Sequence, residues 1–119
     1  MSTILIVEDD FDVRDSLADI LEDEGFSVAT ANDGEDALAY LRANPRPSLI
    51  LLDWMMPRCN GAQFRVEQKS DPALADIPVV LLTADARIEE KQNGIDAADF
   101  VAKPVKLERL LAIVRRFAR

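Results

Sequence analysis

Leu49-Ile50-Leu51-Leu52-Asp53-Trp54-Met55-Met56-Pro57 is the stretch on which the reading of this chain turns. Four consecutive branched aliphatics stop at a carboxylate, and a proline-ended loop follows. A short apolar run bounded by turn signals predicts a strand buried on both faces, as in a parallel sheet covered by helices. Sheets of that type bind ligands beyond the carboxyl ends of their strands, which makes Asp53 the candidate reactive residue.

Three other stretches repeat the arrangement. Ile4-Leu5-Ile6-Val7 runs into Glu8-Asp9-Asp10, Pro78-Val79-Val80-Leu81-Leu82 into Thr83, and Asp99-Phe100-Val101-Ala102 into Lys103-Pro104. If these strands are parallel, Glu8, Asp9 and Asp53, the Thr83 hydroxyl and the Lys103 ammonium meet at one edge. Taken singly, each residue has a plainer reading. An Asp after a strand is usually a turn residue or a helix cap, Thr at a strand end is usually structural, and Lys-Pro alone says little. The convergence of four strand ends is what points to chemistry.

The intervening segments read as helices. Asp10 or Asp12 can cap the first, whose Val13, Leu17, Ile20 and Leu21 share a face, and Gly25 stops it. Ser27 to Ala31 alternates weakly and suits an outer strand. Asn32-Asp33-Gly34 is a turn in which Asp33 can cap a second helix burying Ala37, Leu38 and Leu41, and Asn44-Pro45-Arg46-Pro47 ends it. A third helix is expected over Ala62 to Ser70, a short polar fourth over Ile88 to Asn93, and a last one over Leu107 to Phe117 with Leu110, Leu111, Val114 and Phe117 inward. Five strands alternating with five helices define a doubly wound α/β domain with helices on both faces of the sheet.

Composition narrows the function. The length of 119 residues suits one domain with one good core, and residues 1–119 are expected to form it, with no output domain in this chain. A formal charge of -8 argues against direct nucleic-acid binding, which needs clustered bases. The only such cluster, Arg115, Arg116 and Arg119, suits the end of a helix. A single cysteine, Cys59, rules out an internal disulfide and fits a reducing compartment. No apolar run approaches a membrane span or a secretory leader, so the expectation is a cytoplasmic protein with no membrane contact. The chain has no histidine. That removes the usual general base and the imidazole metal ligand, leaving carboxylates, Thr and Lys for any chemistry.

Glu8, Asp9 and Asp53 crowd like charges together, and one such pair at about 4 Å costs roughly 4 kcal/mol at an effective dielectric of about 20. The cluster calls for a cation. Oxygen-only ligands select a hard ion, so Mg2+ is the expected cofactor and Mn2+ a substitute. An ion of this kind keeps water positions that phosphoryl oxygens can take. Lys103 suits a phosphoryl oxygen or the carboxylate that accepts it, and Thr83 can donate to the same group. Asp can accept phosphate covalently, and phosphoryl transfer asks the protein mainly for positioning and charge neutralisation.

With these residues assembled, the sequence resembles the receiver (response regulator) domains of two-component signalling over essentially its whole length. I-L-I-V-E-D-D at 4–10, L-L-D-W-M-M-P at 51–57, V-L-L-T-A at 80–84 and F-V-A-K-P at 100–104 carry the likeness. The resemblance implies a flavodoxin-like (βα)5 fold with strand order 2-1-3-4-5. It implies Asp53 as phosphoacceptor, and Asp9, Asp53 and the backbone carbonyl of Met55 as metal ligands, with Glu8 supporting the acid pocket. Thr83 and Lys103 would bind the phosphoryl group, and Thr83 with Phe100 would form the switch. The plainer reading of Phe100 is a core aromatic. Met55 and Asp85 fall where the family tunes phosphate lifetime. Val105 stands where an aromatic often follows Lys-Pro, and Asp96 where Gly is usual, which bears on the fourth helix and the partner surface rather than on the chemistry.

The function so implied is a phosphorylation-dependent switch. A histidine kinase or histidine phosphotransfer protein would supply the phosphoryl group to Asp53 with Mg2+. The surface of the fourth helix, fifth strand and last helix would then change toward a downstream effector or a missing output domain. On this reading the protein is not an enzyme but a phosphoacceptor domain that assists its own phosphorylation and dephosphorylation. Alternatives are an unphosphorylated docking module, or a metal-dependent phosphatase working through an aspartyl-phosphate. The second lacks the second Asp of a D-x-D nucleophile motif and a substrate-covering cap. A flavodoxin-like cofactor binder is a further rival, but acids after the first strand replace the residues that would cradle a phosphate.

Overall fold

In the computed structural model, strands β1 (Thr3–Val7), β2 (Ser27–Ala31), β3 (Leu49–Asp53), β4 (Val79–Thr83) and β5 (Asp99–Ala102) form one sheet in the order β2-β1-β3-β4-β5. Every neighbouring pair is parallel. Helices α1 (Phe11–Asp23), α2 (Gly34–Ala43), α3 (Gly61–Ser70) and α4 (Leu107–Phe117) complete the elements. The structure describes residues 3–53, 61–83, 98–103 and 105–117. The helix expected over Ile88 to Asn93 lies outside them, as do Trp54, Met55, Cys59, Asp85, Asp96 and Pro104.

The strands divide the core into two layers because successive side chains point to opposite faces. Leu5, Val7, Ile50, Leu52, Leu81 and Phe100 pack with Ala37, Leu38 and Leu41 of α2 and Phe64 of α3. Ile4, Ile6, Leu49, Leu51, Leu82 and Val101 pack with Leu17 and Leu21 of α1 and with Leu110 and Val114 of α4. Among the described residues, α2 and α3 cover one face and α1 and α4 the other, which is why β3 and β4 are buried along their whole lengths and read as unbroken apolar runs. Edge strand β2 is only half-buried, and its weak alternation follows from that.

Local signals set the boundaries. Asp10, rather than Asp12, caps α1, its Oδ1 accepting from the backbone N–H of Asp12 at 3.0 Å and of Val13 at 3.3 Å. Gly25, just past the helix, has φ 94°, a left-handed conformation that disfavours a side chain. Asp33 Oδ1 accepts from Asp36 N at 2.9 Å and starts α2. Pro78 lies before β4 rather than in it, yet its carbonyl still accepts from Ile50 N at 3.0 Å. In α4, Leu110, Leu111 and Val114 are buried and Phe117 packs at the rim. Arg115 and Arg116 reach Glu24 and Asp99 at 3.0 and 3.8 Å, as expected for bases at a helix end. No helix among the described residues is long and apolar enough to cross a membrane.

Candidate functional site

The parity that sorts the core also builds the site. Val7 and Leu52 face the α2–α3 layer, so the residues after them, Glu8 and Asp53, turn toward the α1–α4 side at the carboxyl edge. Glu8 N donates to Ala31 O at 3.1 Å, adding one rung to the pairing with β2. Lys103 is held by its own backbone, its N–H donating to Thr83 O at 2.8 Å just beyond β5. These strand ends lie on both sides of the point where the chain order reverses between β1 and β3, the place where open α/β sheets form their ligand crevice.

Glu8 is fully buried and Asp53 is 5% exposed, while Asp9 stands at the mouth of the pocket. The ligand oxygens of the three lie within 4.8 Å of one another. Lys103 Nζ donates to Glu8 Oε1 at 2.7 Å and lies 3.4 Å from Asp53 Oδ1. Burial, reinforced by the hydrogen bond and charge of Glu8 and opposed by Lys103, pushes the Asp53 carboxyl up to about 6 from an ordinary 3.8. Asp9 is also raised, by burial and then by Asp53. Burial works to lower the Lys103 ammonium, but its bond to Glu8 and the charges of Asp53 and Glu8 outweigh burial, and its pKa rises.

The donor set fits a hard divalent cation. All the clustered groups are carboxylates, and Glu8 Oε2 is buried with no hydrogen-bond partner among the described residues. A buried anionic oxygen left in that state is costly unless a cation or proton supplies what it lacks.

The structure thus brings Glu8, Asp9, Asp53 and Lys103 together. Thr83 ends β4 beside them, one residue beyond Leu82, which is level with Asp53 in the pairing. Thr83 is buried, and its parity places it on the face where Phe100 packs. The Phe100 ring is 4% exposed and belongs to the α2–α3 layer, so in this conformation it is a core aromatic. Met55, expected to offer a backbone carbonyl, and Asp85 lie outside the described residues. One contact was not foreseen from the sequence. Arg14 of α1 donates from Nη1 to the Glu8 backbone carbonyl at 2.9 Å. Its only sequence signal is a base in the first turns of an acidic helix.

The fold and pocket define a doubly wound α/β domain with an acidic, lysine-bridged site at its topological switch point. The chain belongs to the response regulator receiver domain family, whose profile matches residues 4–115, and is therefore a receiver domain of two-component signalling. It is 38% identical over 118 residues to the phosphate regulon transcriptional regulatory protein PhoB of Escherichia coli, covering 98% of this chain and 51% of that protein. It is 42% identical over 118 residues to the response regulator MprA of Mycobacterium leprae, covering 98% and 50%. The chain thus spans about half the length of these relatives. Among solved structures, the chemotaxis protein CheY4 of Vibrio cholerae aligns with a TM-score of 0.88 at 28% identity, covering 98% of both chains. The response regulator TrrA of Thermotoga maritima, in complex with Mg2+ and beryllium fluoride, aligns at 0.86 and 28% identity, covering 98% of this chain and 99% of that one.

Proposed function

We propose that Asp53 accepts a phosphoryl group from the phosphohistidine of a histidine kinase or phosphotransfer protein. An Asp53 carboxylate oxygen attacks phosphorus, the P–N bond to the donor imidazole breaks, and an acyl phosphate forms as the imidazole leaves with the P–N electron pair. The observation that carries this reading is the Glu8, Asp9 and Asp53 cluster bridged by Lys103 at the carboxyl edge of the sheet. With a carboxyl raised only to about 6, Asp53 is mostly ionised at neutral pH and available as the nucleophile.

Asp9, Asp53 and the Met55 carbonyl would hold Mg2+, with Mn2+ as a substitute and Glu8 in support. When bound, the ion neutralises charge on the transferring phosphoryl group. The TrrA complex with Mg2+ and beryllium fluoride supports a hard cation here. Lys103 offers a second positive charge and Thr83 a hydroxyl donor. Binding of the phosphoryl group by Thr83 would favour one arrangement of Thr83 and Phe100 and change the surface around β5 and α4. The shift is limited by how differently the phosphate interacts with the two arrangements. The domain would assist its own phosphorylation and dephosphorylation, with Met55 and Asp85 setting the lifetime, without turning over a separate substrate. An apolar Met55 would not orient an attacking water, so Met55→Asn is expected to shorten the lifetime. The similarity to PhoB supports a transcriptional regulator as the downstream context, reached through an output segment or an effector protein. A cytoplasmic location fits the expected kinase partner.

The test is incubation with Mg2+ and phosphoramidate, read by intact mass. The wild-type chain is expected to gain one phosphoryl group and Asp53→Asn, folded by circular dichroism, none. Undiminished labelling of Asp53→Asn would move the acceptor elsewhere. No labelling of the wild-type chain, with or without Mg2+, would leave a docking module.

A further inference from the structure

We infer that Arg14 is a positioning residue for the metal site, its bond to the Glu8 carbonyl fixing the loop that presents Asp9. The inference rests on the cation reading above and adds to it a residue that touches neither the cation nor the phosphoryl group.

The loop Glu8-Asp9-Asp10 links β1 to α1 and is restrained on both sides of Asp9. On one side, Glu8 is held by its N–H to Ala31 O at 3.1 Å and by its carboxylate to Lys103 at 2.7 Å. On the other, Asp10 is the N-cap of α1, and its carbonyl accepts from Arg14 N at 2.9 Å. Asp9 lies between these anchors and is exposed. The Arg14 side chain closes the loop by reaching back from the helix to Glu8 O at 2.9 Å. Backbone and side chain of one residue therefore bind the carbonyls that flank Asp9. The guanidinium is itself placed, 5.4 Å from the centroid of the exposed Phe11 ring, which gives that ring a use other than core packing.

The position of a metal ligand depends on the groups that hold its backbone as much as on the ligand itself. A second ground favours a geometric role over an electrostatic one. The Arg14 guanidinium bonds a neutral backbone carbonyl at the loop, the Glu8 O. The two roles predict opposite signs. Removing a cation close to a cation site should tighten Mg2+ by relieving repulsion. Removing a clamp that orders a ligand loop should weaken it.

The experiment titrates Mg2+ into the wild-type chain, Arg14→Met, Arg14→Gln and Arg14→Lys, following the fluorescence of Trp54, the only tryptophan, with calorimetry as a second readout. Thermal midpoints without metal are recorded alongside. Arg14→Met should need roughly tenfold more Mg2+ for half-saturation, the lower end of what outer contacts to a metal ligand contribute. Phosphoramidate labelling of the same variant should return to the wild-type extent at saturating Mg2+. Arg14→Lys, which keeps a long donor, should recover part of the loss, and Arg14→Gln, too short to span the loop, should behave as Arg14→Met. Unchanged or tighter binding by Arg14→Met overturns the inference, as does a lowered thermal midpoint with no change in Mg2+ half-saturation. If Arg14→Met does not fold, Arg14→Gln decides on the same criteria. A wild-type chain that neither responds to Mg2+ nor is labelled overturns the cation reading and this inference together. A wild-type response that the variants share overturns only the latter.

Discussion

Lys103 Nζ lies 2.7 Å from Glu8 Oε1 but 3.4 Å from Asp53 Oδ1, so the ammonium is seated on the buried supporting acid and touches the candidate acceptor only at longer range. Glu8 is fully buried and the Lys103 side chain is 25% exposed, so the pair is partly desolvated and each partner depends on the other. Glu8 thereby restrains Lys103 while its own charge raises Asp53.

Removing the Glu8 charge should therefore lower the Asp53 pKa. In Glu8→Gln the repulsion that raises Asp53 is gone and Lys103 is released toward it, two changes of the same sign. A carbon-13 NMR titration of the Asp53 carboxyl without metal should show a pKa clearly below that of the wild-type chain. An unchanged value would assign the shift to burial alone.

Removing Lys103 should have the opposite effect. Lys103→Met leaves two buried carboxylates without their cation. The expected loss at pH 7 without metal is on the order of 2 kcal/mol, below the range for a fully buried pair because Lys103 is partly solvated. Urea denaturation measures the loss, and saturating Mg2+ should recover part of it. Full stability in Lys103→Met would mean that water replaces the ammonium.

The raised Asp53 pKa makes a prediction about pH with a definite sign. A carboxyl with a native value of about 6 and an ordinary value of 3.8 binds its proton more tightly when folded. Its contribution to stability is present below the lower value and is lost as pH rises through the upper one, by roughly 3 kcal/mol at most. Lys103, raised above its ordinary 10.5, loses its contribution only at pH above that value and adds no slope in this window. Between pH 4 and 7 without metal, the wild-type chain should lose stability relative to Asp53→Asn. Parallel stability profiles for the two proteins would contradict the shift.

Much of this site was legible because each of its strands ends on its functional group. Glu8, Asp53 and Lys103 follow Val7, Leu52 and Ala102 directly, and Thr83 follows Leu82, so locating four apolar runs locates the site. That both faces of the sheet are covered was legible from the unbroken apolar runs, but which residues face which layer was not, because both faces of β3 and β4 are equally apolar. What else the sequence did not disclose depends on side chains reaching across the chain. Arg14 reads as one more charge on a surface helix until the loop folds back to bring the Glu8 carbonyl within reach. Helix α3 hides its inward face in another way. One turn after the fully buried Phe64, the next core-facing position is occupied not by an aliphatic but by Gln68, so the apolar stripe breaks where the helix is in fact buried.

Gln68 gives the last prediction. Its Nε2 donates to Leu74 O at 2.9 Å and Ile77 O at 3.2 Å, and its Oε1 accepts from Arg65 Nη1. The amide thus ties α3 to the Asp71–Ile77 connection, where Asp71 O already accepts from Leu74 N and Ala75 N, both at 2.9 Å. Gln68→Leu keeps the volume but removes a donor to two carbonyls. An unsatisfied buried group costs about 1–3 kcal/mol, so a loss of about 3 kcal/mol is expected in urea denaturation. Mg2+ half-saturation should not move, because α3 packs on the layer opposite the one toward which Glu8 and Asp53 turn. A loss below about 1 kcal/mol would mean that water satisfies the two carbonyls when the amide is gone. A change in Mg2+ affinity would instead couple α3 to the acidic pocket through β3, the strand whose Leu52 shares a core layer with Phe64 and which ends at Asp53.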